Sequence, residues 1–259
     1  MVVIVPVLIM AAFLALPLIA IFLRILPQGG VWETLQQPLV TQALQLSLMT
    51  SLSSLGLTIL FGTPVAYWLA RQRFRGIGLL DTLVDMPTVL PPTVAGVALL
   101  MTFGRQGLLG PWLKMAGLQI SFTSVAVVLA QCFVCAPFYI RSAQAGFQSV
   151  DRELERVAHT LGYSSMRTFL RVTVPLAFPA LLSGSVMAWA RALGEFGATI
   201  MFAGNLMGRT QTMPLAIYIA MESDLTAALV LSALLIIVPF GGLFLMRTML
   251  RRGSFVSYA

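Results

Sequence analysis

The sequence predicts an all-α integral membrane protein: six transmembrane helices, with one short amphipathic helix outside the bilayer between the fourth and the fifth. Three observations carry this. The 259 residues are 58% hydrophobic and only 10% charged, with a mean hydropathy of +0.92, whereas an ordinary soluble domain carries about 25% charged residues. Apolar runs that match the roughly 20 helical residues needed to cross the hydrocarbon core recur six times. Between the fourth and fifth runs the chain turns polar and takes up a helical period of its own.

The first span covers 2 to 24. It has no positive n-region and no small-residue cleavage site, and it is too long for the h-region of a signal peptide, so it reads as a true span. The second covers 44 to 70 and the third 83 to 103. Pro87, Pro91 and Pro92 mark the start of the third. Proline removes a backbone donor, and in lipid the freed groups must be met by other helices or by cavity water. Thr88 and Thr93 add hydroxyls there. This run reads either as a helix broken beside a cavity or as a bent approach into the membrane.

The fourth span, 121 to 146, contains Cys132 and Cys135. Their C-x-x-C spacing lacks the four ligands of a structural zinc site and the βαβ context of a redox motif, so they read as small core residues. The fifth span, 177 to 203, holds the run ARALGEFGAT, which places Arg191 and Glu195 in an otherwise apolar segment. The sixth covers 225 to 249. The chain reads as a single transmembrane domain over 1 to 259.

Short cytoplasmic loops collect Lys and Arg. With the N-terminus and C-terminus both inside, eleven of the sixteen basic residues fall on the cytoplasmic side: Arg71, Arg73, Arg75, Arg141, Arg152, Arg156, Arg167, Arg171, Arg247, Arg251 and Arg252. Arg24, Arg105, Lys114 and Arg209 fall outside, and Arg191 lies within a span. The net charge of +7 therefore reads as topogenic arginine beside anionic lipid, not as nucleic-acid binding.

The residue inventory excludes most enzyme classes. His159 is the only histidine and Lys114 the only lysine, and Lys114 is followed by Met115. H-E-x-x-H and the G-x-x-x-x-G-K-[ST] phosphate loop are thus both missing. No catalytic residue, metal site or cofactor is expected in this chain.

The polar stretch from 149 to 184 begins SVDRELERVAHTLGYSS. Asp151 is a candidate N-cap, with Glu153 and Glu155 in the first turn where the helix dipole favours them. Leu154, Val157, Ala158 and Leu161 recur at helical spacing, and Gly162 stands where a left-handed C-terminal residue is wanted. A turn at 163 to 165 and a second, basic helical start follow. This helix reads either as resting on the membrane surface or as docked into a groove on a soluble partner.

The stretch ELERVAHTLGYSSMRTFLRVTVPLAFPAL resembles the cytoplasmic coupling loop of permease subunits of ATP-binding-cassette importers. Ala158, Gly162 and Pro175 match the family's Glu-Ala-Ala, Gly and Leu-Pro pattern, while Arg156, Val157 and Val174 depart from it. DMPTVLPPTVAGVALL and ARALGEFGATIMFAGNLMGRTQTMPLAIY are similar to the permease of molybdate importers, with tungstate and sulfate permeases as near relatives. The Gly-Glu-Phe-Gly-Ala-Thr and Gly-Arg-Thr-Gln-Thr runs favour molybdate or tungstate over sulfate or thiosulfate.

The resemblance implies the fold of a type I importer permease in the plasma (inner) membrane of a prokaryote, moving its substrate by alternating access. It implies a second copy of the chain, ABC ATPase subunits and an external oxyanion-binding protein as partners. The segment at about 150 to 170 would couple to the ATPase through Asp151, Glu153, Leu154, Glu155, Ala158, Leu161 and Gly162, with Pro175 beyond it. An ATPase-independent channel or secondary transporter is the alternative, though no inverted repeat is found.

Pro91, Pro92, Thr93, Arg191, Glu195 and Gly197 are the candidate gate or pathway residues. At i and i+4, Arg191 and Glu195 share one helix face, which is expected to turn to the bundle interior or to the second copy because a lipid-facing pair is expensive. A dianionic substrate would be repelled by Glu195, so this carboxylate is not expected to be a ligand. The pair either holds a gate in one of its states or only fixes packing.

Overall fold

The computed structural model describes residues 4–27, 29–72 and 75–254. Positions 2 and 3 of the first expected span and Arg73 lie outside the described residues, as do the side chains of Arg247, Arg251 and Arg252. The chain forms α1 (Ile4–Ile25), α2 (Val31–Gln36), α3 (Pro38–Arg71), α4 (Ile77–Val89), α5 (Pro92–Phe103), α6 (Gly110–Met115), α7 (Ser124–Ser149), α8 (Arg152–Thr160), α9 (Ser165–Thr168), a π-helical turn Phe169–Thr173, α10 (Val174–Leu193), α11 (Gly197–Ala203), α12 (Met213–Ser223) and α13 (Leu225–Ser254).

Among the described residues, five helical stretches are long and apolar enough to cross a membrane, and α4 with α5 makes a sixth if that bent pair is one span. The centre is a layer of α3, α7 and α10. Lipid tails are as apolar as leucine, so close approach and hydrogen bonds hold such helices together. The seam is accordingly built from small residues, Ala66, Ala143, Ala177 and Ala188 among them. Along α3 the buried positions Ser47, Ser51, Ser54 and Thr58 recur every three or four residues. Ser54 Oγ donates to Gln131 Oε1 at 3.0 Å, and Trp189 Nε1 donates to Ser51 Oγ at 3.1 Å. Such bonds contribute about 0.6 kcal/mol each in a membrane.

The two cysteines belong to this seam. Cys135 is fully buried with its Sγ 3.4 Å from Thr58 Oγ1, and Cys132 Sγ donates to Ser54 O. A second apolar cluster joins α3 to α12 and α13, and a third joins α5, α7 and α11. α1 lies along α13 with none of its residues buried.

Two expected spans differ from single helices. The third is α4 and α5 meeting at 116°. Leu90 and Pro91 are both extended there, and Pro91 and Pro92 supply no N–H to carry the helical ladder across. The fifth starts earlier, at Ser165, and its long helix stops at Leu193. Gly194 to Phe196 break it, and α11 sets off separately from Gly197. Near its start the Val174 N–H reaches back five residues to Phe169 O. Pro175 follows without an N–H of its own, which explains why the π turn sits at that point.

Candidate coupling surface and candidate gate

α8 has both ends fixed by local chemistry. Asp151 Oδ1 accepts the Glu153 N–H at 2.9 Å, which satisfies an otherwise orphaned donor of the first turn. Gly162 has φ +85, and its N–H and that of Tyr163 return to His159 O and Ala158 O, each at 3.0 Å. That closes the helix in the left-handed manner glycine permits. The turn is at Leu161 and Gly162, slightly ahead of the expected 163 to 165, and α9 restarts behind Ser164, whose Oγ accepts from the Arg167 N–H.

The faces of α8 separate residues that the helical spacing had grouped. Ala158 is buried against the body of the protein. Glu155 also faces inward: its Oε1 lies 2.7 Å from Arg71 Nη2 and accepts from Thr173 Oγ1 at 2.7 Å. Arg71 further donates to Val150 O. Leu154, Val157 and Leu161 point the other way, 46%, 52% and 74% exposed, beside an exposed Glu153–Arg156 pair. So Glu155 and Ala158 tie α8 to α3 and to the π turn, while three apolar side chains form a free surface.

Beside the start of α8 lies a cleft of about 1030 Å³, whose walls include Arg71, Asp81, Gln144, Gln148, Asp151 and Arg152. Pro175, expected beyond the coupling segment, stands in the first turn of α10.

The other candidate residues converge where the two broken spans meet. A methyl added at Gly197 would lie 2.7 Å from Pro92 Cβ and 3.3 Å from Thr93 N. One turn along, a methyl at Gly96 would lie 2.7 Å from Ala198 O and from Met201 Cβ. α5 and α11 therefore pack backbone to backbone from the breaks themselves, and the structure brings Pro92 and Thr93 against Gly197, with Pro91 and Glu195 in the breaks just ahead of the two helices. The Thr93 side chain is exposed, whereas the Thr88 hydroxyl is used inside α4, donating to Asp85 O at 2.7 Å.

Glu195 is 1% exposed. Its Oε1 accepts the Ala198 N–H at 2.8 Å, and its Oε2 lies 2.8 Å from Arg191 Nη2. Among the described residues Oε2 has no aligned hydrogen bond, so the second contact is one of charge. Arg191 stands in the last turn of α10 and Glu195 just ahead of α11, so each charge complements the helix end it adjoins. The expected continuous face is thus corrected: the pair meets across a helix break.

The sequence reading missed two further clusters. Arg71, read there only as topogenic, anchors Glu155. Arg141, read in the same way, holds Asp81 and Asp85 of α4. The Gly-Arg-Thr-Gln-Thr run proves to be an inward-folded loop, with Thr210, Gln211 and Thr212 buried and Arg209 exposed.

A family model described as "Binding-protein-dependent transport system inner membrane component" matches residues 62–251. The molybdenum transport system permease protein ModB of Mycobacterium tuberculosis is 45% identical over 226 residues, 87% of this chain and 85% of that protein. The molybdate/tungstate transport system permease protein WtpB of Pyrococcus abyssi is 40% identical over 192 residues, 74% of this chain and 72% of that one. A probable sulfate transport system permease protein, cysT, of Prototheca wickerhamii is 37% identical over 236 residues, 90% of this chain and 92% of that one. Among solved structures, a bacterial ABC transporter involved in the import of the acidic polysaccharide alginate has the same fold, with a TM-score of 0.72 at 16% identity over 96% of this chain and 93% of that one.

Proposed function

Since the chain belongs to the family of binding-protein-dependent transport system inner membrane components, we propose that it is the permease of an ATP-driven importer of molybdate or tungstate. The observation that carries the substrate is the 45% identity to a molybdenum permease over 87% of the chain, above the 37% to a sulfate permease. The chain is a transport subunit and not an enzyme, and a separate ATPase hydrolyses the nucleotide. Two copies of the chain line the pathway, with both termini in the cytoplasm. An external binding protein delivers the tetrahedral oxyanion.

The ATPase docks on Leu154, Val157 and Leu161, the free apolar face of α8. Asp151 and Gly162 set the length and the ending of that helix, and the exposed Glu153 borders the face. Glu155 and Ala158 pass its displacement inward, to α3 through Arg71 and to the start of α10, next to Pro175, through Thr173. Such rigid-body displacement of packed helices switches a transporter between two states. The contact of Pro92 and Thr93 with Gly197, with Pro91 at the break and the turn held by Glu195 and Arg191, is the gate.

The test is reconstitution of the chain with a molybdate-importer ATPase and binding protein in liposomes. Uptake of radiolabelled molybdate or tungstate that requires ATP and both partners is the expected result. Uptake without the ATPase, or sulfate carried in preference, would overturn the reading.

Gly162→Val tests the coupling surface. An added Cβ there meets nothing within 4 Å, so its whole effect comes from the backbone. An L residue in the left-handed region costs about 1–2 kcal/mol, and only Asn and Asp visit it with some ease. Gly162→Val should insert normally yet lose ATPase on co-purification, while Gly162→Asn should keep most of it. Equal recovery of ATPase with wild type and Gly162→Val would remove α8 as the docking element.

A further inference from the structure

Arg141 stands on α7 and reaches α4 with all three side-chain nitrogens. Nε donates to Asp85 Oδ1 at 2.7 Å and Nη2 to Asp85 Oδ2 at 2.6 Å. Nη1 donates to Asp81 Oδ1 at 2.5 Å, and Nη2 also donates to the Asp81 carbonyl at 2.8 Å. Gln144, three residues further along α7, steadies Nη1 by accepting from it at 2.7 Å. α4 has few other holds on the protein. None of its residues is buried, and Ile77, Leu80 and Val84 only partly tuck against the seam around α7.

Its far end is a joint. The Leu90 N–H is bonded back to Met86 O, and the Ala95 N–H opens α5 on Pro91 O. Pro91 and Pro92 have no N–H to bridge the gap, so among the described residues no backbone hydrogen bond crosses Leu90–Pro91. Beyond the joint, Pro92 bears directly on Gly197.

We propose that Arg141 is a positioning residue: with Asp81 and Asp85 it forms a releasable clamp that fixes α4 about the Leu90–Pro91 joint and so sets how α5 bears on α11. This rests on the importer reading above. The paired fork onto a carboxylate is a strong and directional arrangement, which defines the closed position. Its members are 31%, 47% and 50% exposed, and Asp81 and Gln144 line an open cleft, so the charges are not sealed inside the protein when the clamp opens. Glu195, at 1% exposure, has no such outlet, and separating a buried pair strands a charge. Compared with the Arg191–Glu195 pair, the clamp is the one built to open and close repeatedly. It also sits where the proposed coupling signal arrives, because Asp81 lines the same cleft as Arg71, Asp151 and Arg152.

The experiment uses the full complex of permease, ATPase and binding protein in liposomes, and reads molybdate carried per ATP hydrolysed beside complex yield and thermal stability. Arg141→Gln should assemble and hydrolyse ATP, with the transport ratio lowered by about tenfold, within the usual range of a coupling effect. Arg141→Lys, a point charge that cannot grip in a fork, should fall between it and wild type. Asp85→Asn should reproduce the loss through the other partner, so the test stands even where Arg141→Gln assembles poorly. A wild-type ratio in Arg141→Gln or Asp85→Asn overturns the clamp, as does lowered stability with a normal ratio in the surviving complexes. Failure of the wild-type complex to couple uptake to ATP would instead overturn the importer reading.

Discussion

Alanine at position 197 should abolish transport and loosen α5 from α11. The added methyl would stand 2.7 Å from Pro92 Cβ, with the Pro92 carbonyl carbon and Thr93 N both 3.3 Å away. A proline ring and backbone atoms cannot rotate aside, so one of the two short helices must shift. Two effects oppose each other. Ala is a better helix former than Gly by about 1 kcal/mol, and Gly197 opens α11. Overpacking of a close contact costs about 1–3 kcal/mol, and the full propensity gain belongs to helix interiors, so the clash wins. Gly56→Ala is the control, because a methyl there meets nothing within 4 Å and only the propensity gain remains. The thermal midpoint of the purified complex should fall for Gly197→Ala and hold or rise for Gly56→Ala. Wild-type transport by Gly197→Ala would show that the close approach is not part of the gate.

The spans were legible because crossing a bilayer demands long apolar runs, and composition alone reports those. The break in the third was marked by its prolines. The break in the fifth had no comparable mark: Gly194 to Phe196 sit in a run that still reads as apolar, and what holds α11 apart is Pro92 against Gly197 together with the Glu195 cap. The contact of Arg191 with Glu195 was expected from i and i+4 spacing, yet the structure delivers it across an irregular turn. In the candidate coupling segment the helix ends were legible, since a capping aspartate and a left-handed glycine are local signals. The faces were not. Whether Glu155 points in or out depends on Arg71, 84 residues away, and the role of Arg141 depends on Asp81 and Asp85, 60 and 56 residues away. An arginine near the end of a span looks the same in sequence whether it only orients the chain or grips a helix.

Glu195→Gln should raise ATP hydrolysis without substrate delivery while the complex stays assembled. The carboxylate makes two contacts, and this substitution separates them. Oε1, which accepts from the Ala198 N–H, survives as the amide oxygen, so α11 keeps its cap. The atom facing Arg191 becomes an NH₂ donor and the charge contact is lost. Arg191 keeps 30% of its side chain exposed and can move away from the new amide, which limits the cost to the fold. Glu195→Ala removes the cap as well, at about 0.5–2 kcal/mol, and should lower assembly where Glu195→Gln does not. Arg191→Gln should be worse than either, because it leaves a carboxylate that is 1% exposed without its cation, and stranding a buried charge costs about 3–5 kcal/mol. Under the gating reading, the three variants rank differently in stability and in coupling: Glu195→Gln is the mildest in assembly yet hydrolyses ATP freely with little molybdate moved. If Glu195→Gln instead destabilises the complex as much as Glu195→Ala, and the surviving complexes couple normally, the pair only holds the broken span together and the gate lies elsewhere.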